Sequence, residues 1–119
     1  MKTHKDLDAW KNAINLVLKI YRTTKKFPKQ EMYGLTNQIR RAAVSIPSNI
    51  AEGAARKYNK EFIQFLYVSQ GSLSELETQL ILSEKLEFIS SENFEDLDQD
   101  MKVIRSQISG LISYLTNKK

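Results

Sequence analysis

The chain has 119 residues, 41% hydrophobic and 27% charged, with a net charge of +4 and no cysteine. That length favours a single domain around one modest core, and the absent cysteines exclude disulfides, thiolate metal sites and cysteine catalysis. No apolar run reaches the ~18 residues of a membrane span. The opening MKTHKDLDAWKN is charged where a signal peptide would be apolar, so a cytoplasmic protein without a membrane partner is expected.

Read in chain order, the sequence is helical nearly throughout. Leu7, Trp10, Ile14, Val17 and Tyr21 recur at steps of three and four and predict a first helix over 6–26. FPKQ at 27–30 ends it, because Pro28 disfavours helical geometry at Phe27. Met32, Leu35, Ile39, Ala42, Ile46 and Ile50 give a second helix over 30–56, with Pro47 inside it. An interior proline costs about 3 kcal/mol, yet the apolar phase runs through Pro47 without a jump. The second helix is therefore expected to continue across it with a kink, and the Ala43 carbonyl loses its usual donor, with Ser45, Ser48 or water to compensate. The small residues around it, Ala42, Ala43, Ala51, Gly53, Ala54 and Ala55, would let another backbone come close.

The third helix, 59–87, is expected to start with Asn59 as its N-cap and carries Phe62, Leu66, Ser69, Leu73, Leu76 and Leu80 on one stripe. The Ser90-Ser91 pair opens a fourth helix, 91–117, with the cleanest stripe of all: Phe94, Leu97, Met101, Ile104, Ile108, Leu111 and Leu115. Four such segments with short connections imply an all-α, antiparallel up-down four-helix bundle formed by residues 1–119 as one domain. Apolar residues also lie off the stripes: Ala13 and Ile20, Ala43 and Val44, Phe65, Tyr67 and Ile81, and Ile112. This surplus points to an interface between copies of the chain, or else to wider buried stripes.

Catalytic and metal chemistry find few of the residues they need. A di-iron bundle requires Glu-x-x-His pairs, whereas the one histidine, His4, lies in an N-terminal stretch expected to fray. Glu75 and Glu77 are two apart and point to different sides of a helix. Serines 45, 48, 69, 72 and 74 have no histidine to act as a base, and the glycines form no phosphate loop. A non-enzymatic protein with no metal or cofactor is expected.

Charge is more informative. Residues 1–60 hold 13 Lys/Arg against 4 Asp/Glu, and residues 61–119 hold 5 against 10. A basic half suits an acidic partner such as RNA or DNA; it suits equally well pairing with the acidic half within or between subunits. The candidate contacts are Lys25, Lys26 and Lys29 after the first helix, Arg40 and Arg41 on the second, and Arg56, Lys57 and Lys60 at the next turn. Tyr58, among the last group, could stack on a base. An ordinary solvated surface carries the same residue types.

YGLTNQIRRAAVSIPSNIAEGAAR (33–56) and EFIQFLYVSQGSLSELETQL (61–80) resemble the bacterial four-helix-bundle proteins named for 23S rRNA intervening sequences, and DLDAWKNAINLVLKIYRTTKKFPKQE (6–31) is similar to that family's opening. The resemblance implies a closed, ring-like homo-oligomer, typically a pentamer. Related bundles bind nucleic acid and the reverse transcriptase of diversity-generating retroelements, so an adaptor for such an enzyme is the alternative role that the resemblance implies. It carries no catalytic residue onto this chain. The acidic second half departs from the strongly basic retroelement accessory proteins and fits charge-complementary subunit contacts better.

Overall fold

The computed structural model describes residues 3–117. Four helices form the bundle: α1 (Asp8–Thr24), α2 (Leu35–Ala54), α3 (Asn59–Lys85) and α4 (Ser91–Asn117). Each packs on its neighbours in the order α1–α2–α3–α4, and α4 closes back on α1, with α2 against α3 the most extensive contact. Short connections make successive helices antiparallel, in an envelope of 49 × 24 × 20 Å. One end of the bundle holds the α1–α2 connection and the α3–α4 turn; the other holds the α2–α3 turn.

The boundaries differ from expectation where a cap decides them. α2 begins at Leu35 rather than residue 30, because Lys29–Glu31 form a separate 3-10 turn and Gly34 adopts φ −114°, ψ −112°. The Glu31 carboxylate then accepts the Leu35 amide at 3.3 Å. Asn59 is the first residue of α3 and not its N-cap; Tyr58 holds the cap position with no side-chain bond. Ser90 does cap α4, its hydroxyl accepting the Asn93 amide at 3.0 Å. His4, expected to fray, sits in a 3-10 turn (His4–Asp6) with its ring edge-on to Trp10 at 5.2 Å.

Along α3 every residue of the predicted stripe is buried, and along α4 Leu97, Met101, Ile104, Ile108 and Leu115 are. α1 was misphased by the sequence pattern. Its buried residues are Ala9, Ala13, Leu16, Ile20 and Thr24, while Trp10, Ile14 and Val17 flank the core and Tyr21 is exposed. Ala13, Ile20, Ala43 and Ile112, read as surplus, therefore belong to the core of the bundle itself. Val44, Tyr67 and Ile81 do remain exposed.

α2 runs through Pro47 as one helix, as its unbroken apolar phase predicts. The side chains around it serve the carbonyls of Ser45 and Ile46 rather than that of Ala43. Asn49 donates to the Ser45 carbonyl at 2.8 Å, and Ser69 of α3 donates to the Ile46 carbonyl at 2.9 Å. Ser45 and Ser72 share a further bond of 2.8 Å between α2 and α3. The serines here tie two backbones together. At Gly53 the two helices pack too closely for a side chain: an added Cβ would lie 2.7 Å from Phe65 Cβ.

α3 ends in a paired-bond cap, with the Phe88 amide donating to Ser83 O at 2.8 Å and the Glu87 amide to Glu84 O at 2.9 Å. The cap forces Glu87 to φ 66°, the left-handed region that favours glycine. Glu87→Gly should therefore raise stability by about 0.5–1 kcal/mol, since the relief of strain exceeds the entropy that glycine adds to the unfolded chain. Urea denaturation checks this; a lower midpoint would show that the Glu87 side chain contributes more than its backbone loses.

Candidate nucleic-acid interface

The eight cations singled out from the sequence do not form one patch. Lys25, Lys26 and Lys29 are exposed in the connection after α1, and Arg56, Lys57 and Lys60 in the turn after α2. These groups are separated by the whole of α2, 20 residues or about 30 Å at 1.5 Å per residue. Arg40 and Arg41 lie on the flank between them.

At the first end the lysines share their surroundings with acid. Arg22 and Lys26 line a groove of about 300 Å³ with Phe88, Ile89, Ser90 and Asn93, and the Phe27 and Phe88 rings meet at 5.4 Å to seal the core beneath. Glu84, Glu87 and Glu92 sit on the same α3–α4 turn region. Lys19, one turn further down α1, donates to Asp100 at 2.8 Å and to Asp96 at 3.0 Å on α4. Those hydrogen bonds, Asp100 foremost, raise the Lys19 ammonium above its ordinary pKa. Here the basic and acidic halves of the chain pair within one molecule.

On the α1–α2 flank, Arg40 is already engaged. Its Nε donates to Thr24 Oγ1 at 2.9 Å, and its guanidinium lies 4.6 Å from the Tyr21 ring centroid. Thr24 in turn donates to the Ile20 carbonyl at 2.8 Å. Arg40 thus ties α2 to α1 through its Nε, with its Nη donors outside that bond. Arg41 is exposed beside it, and both line an open groove of about 490 Å³ with Tyr21, Asn37, Val44 and Ser45.

The α2–α3 turn is the best built of the three. Residues 55–60 are all exposed, and Tyr58 is 61% exposed with the Lys57 ammonium 5.5 Å from its ring centroid. The Arg56 guanidinium lies 4.8 Å from the Phe65 ring, which fixes its stem while its outer edge faces solvent. An exposed aromatic ring on a turn with three cations is what stacking on a base and contacting its phosphates requires. Glu61 in the first turn of α3 is the nearest acid in sequence.

Sequence reasoning missed the polar seams. Gln70 of α3 donates to the Arg105 carbonyl and the Ser109 hydroxyl of α4, at 3.2 and 2.9 Å, and Asn12 of α1 donates to Gln107 of α4 at 3.0 Å. No periodicity signals such pairs, because each partner is a turn of helix on a different element. Among the described residues no group of three or more His, Asp or Glu could hold a metal ion, and no helix is long and apolar enough to cross a membrane.

Among curated proteins none matches the chain. In fold it is similar to the crystal structure of a protein of unknown function from the S23 ribosomal protein family of Bacteroides thetaiotaomicron VPI-5482. The TM-score is 0.78 at 23% identity, over 87% of this chain and 97% of that one. A family model described as 23S rRNA-intervening sequence protein matches residues 5–110. A match over that span, on a four-helix bundle with the expected element order, means that the chain belongs to the 23S rRNA-intervening sequence protein family.

Proposed function

We propose that this protein is a non-enzymatic, self-associating helical bundle that binds RNA or DNA through the α2–α3 turn. The observation that carries it is the exposed Tyr58 ring, with the Lys57 ammonium against it and Arg56 and Lys60 exposed on the same turn. Cations alone would describe any solvated turn; an exposed aromatic ring beside them adds a surface that stacks on bases without regard to sequence. Self-association is supported by the apolar side chains left exposed on α3, Tyr67, Val68 and Leu82. In such an assembly each turn would be repeated, so that weak contacts add along one strand.

Fluorescence anisotropy with labelled single- and double-stranded RNA and DNA at about 50 mM salt tests the reading. Binding is expected, and it should weaken steeply with added salt. Replacing Arg56, Lys57 and Lys60 together by alanine should lower the slope of log affinity against log salt by about 2–3. Tyr58→Ala should weaken single-strand binding by about 1–3 kcal/mol with the slope unchanged. No affinity for any of the four probes, or an unchanged triple variant, defeats this assignment. Co-purification of a protein without nucleic acid would favour instead an adaptor role, for example as an accessory subunit of a reverse transcriptase.

A further inference from the structure

Two surfaces away from the turn complement each other. On the α1–α2 flank, Tyr21 and Val44, each 39% exposed, border the 490 Å³ groove, and Arg41 stands exposed at it with no ion pair among the described residues. On the outer face of α3, Val68, Glu75 and Leu82 follow one another at seven-residue intervals and share one line. Val68 and Leu82 are 51% and 48% exposed, and the space over Gly71 between them is open. Among the described residues the Glu75 carboxylate accepts only a long 3.4 Å bond from Gln79.

We propose that the α1–α2 groove of one copy receives the α3 stripe of the next, with Arg41 meeting Glu75 and the apolar residues beside Glu75 packing on Tyr21 and Val44. This rests on the self-association proposed above and adds the faces that meet. A nucleic acid fits neither surface as well. The α3 stripe carries a carboxylate, and in the groove Arg40 is oriented by Thr24 and Tyr21 on its own chain, so that Arg41 is the more exposed of the two cations there. A second copy matches both surfaces at once, in charge and in apolar character.

Groove and stripe are different patches of the same molecule, so the contact is head-to-tail. Each copy bound by its groove still offers its stripe, and association proceeds beyond a dimer until the rotation closes. The Arg56–Lys60 turn stands at one end of the bundle and stays open to its own partner.

Light scattering and sedimentation on the full chain test the proposal. The wild type should assemble to more than two chains at micromolar concentration. Arg41→Glu and Glu75→Arg should each weaken assembly by about tenfold or more, with circular dichroism unchanged because both side chains are exposed. The double variant R41E/E75R, and an equal mixture of the two single variants, should reassemble, since both restore opposite charges at the contact.

A monomeric wild type defeats the self-association reading altogether. A wild type that stops at a dimer overturns the head-to-tail geometry. An assembled wild type that either single reversal leaves unchanged, or whose loss no complement restores, overturns the pairing of these faces while self-association stands. Loss of RNA or DNA binding in R41E with no change in mass would assign the groove to nucleic acid instead.

Discussion

Gly53→Ala should destabilise the protein by about 1–3 kcal/mol, the range seen when an extra methyl is forced into a packed seam. Helix propensity alone predicts the opposite sign, since alanine is favoured over glycine by about 1 kcal/mol in a helix interior. Geometry decides between them. The new Cβ would lie 2.7 Å from Phe65 Cβ, 2.9 Å from Phe62 Cδ1 and 3.2 Å from the Phe62 carbonyl. Only the Phe62 ring can swing aside; the other two atoms are fixed to the α3 backbone, so α2 and α3 must part. Parting them also loosens the bonds from Ser69 to Ile46 and between Ser45 and Ser72. Gly110→Ala is the control, because nothing lies within 4 Å of its added Cβ, and it should gain about 1 kcal/mol from propensity. Urea denaturation of the two variants reads the difference directly. A Gly53→Ala protein as stable as Gly110→Ala would show that the seam can open freely.

How legible these features are in the sequence follows from the kind of residue that makes them. The stripes of α3 and α4 read correctly because large aliphatic residues occupy most of their core positions, among them Leu66, Leu73, Leu76 and Leu80 on α3 and Leu97, Ile104, Ile108 and Leu115 on α4. α1 misleads because its core positions hold Ala9 and Ala13, while Trp10 and Tyr21 put large rings beside the seam. An aromatic ring with a polar edge scores as apolar yet serves well at a half-wet boundary. The buried hydroxyls of Thr24 and Ser83 are hidden for a different reason: each donates to the carbonyl one turn back, to Ile20 and Gln79 respectively. No pattern distinguishes such a residue from a solvent-facing one.

The continuous helix through Pro47 was readable, because apolar phase outlasts a missing hydrogen bond. The start of α2 was not, since it depends on the Glu31 carboxylate reaching forward to Leu35 across Gly34. For the interface, the Arg56–Lys60 cluster is contiguous in sequence and stays together in space. Arg40 could not be placed from sequence, as its partners Thr24 and Tyr21 belong to another helix.

Leu73→Ala should cost about 2–5 kcal/mol, from the lost transfer of the side chain out of water and the cavity left behind. Leu73 is fully buried among Leu66, Leu76 and Leu80 on α3 and the core residues of the other helices, so nothing mobile can fill the space. Against a total of about 5–15 kcal/mol, such a loss unfolds a large fraction of a marginal bundle on modest warming. Leu82→Ala, nine residues on in the same helix, removes the same atoms from a side chain 48% exposed, and should change the stability of the isolated chain by less than about 0.5–1 kcal/mol. The two differ again in their dependence on concentration. A core defect acts on each chain alone, so the Leu73→Ala deficit should be the same at every protein concentration. Leu82 lies on the stripe proposed to meet a second copy, and binding that favours the folded state makes stability rise with concentration by mass action. The Leu82→Ala deficit should therefore grow as the wild type is concentrated. Thermal denaturation over a hundredfold range of concentration separates the two, and a Leu82→Ala deficit that stays flat would remove Leu82 from any contact between copies.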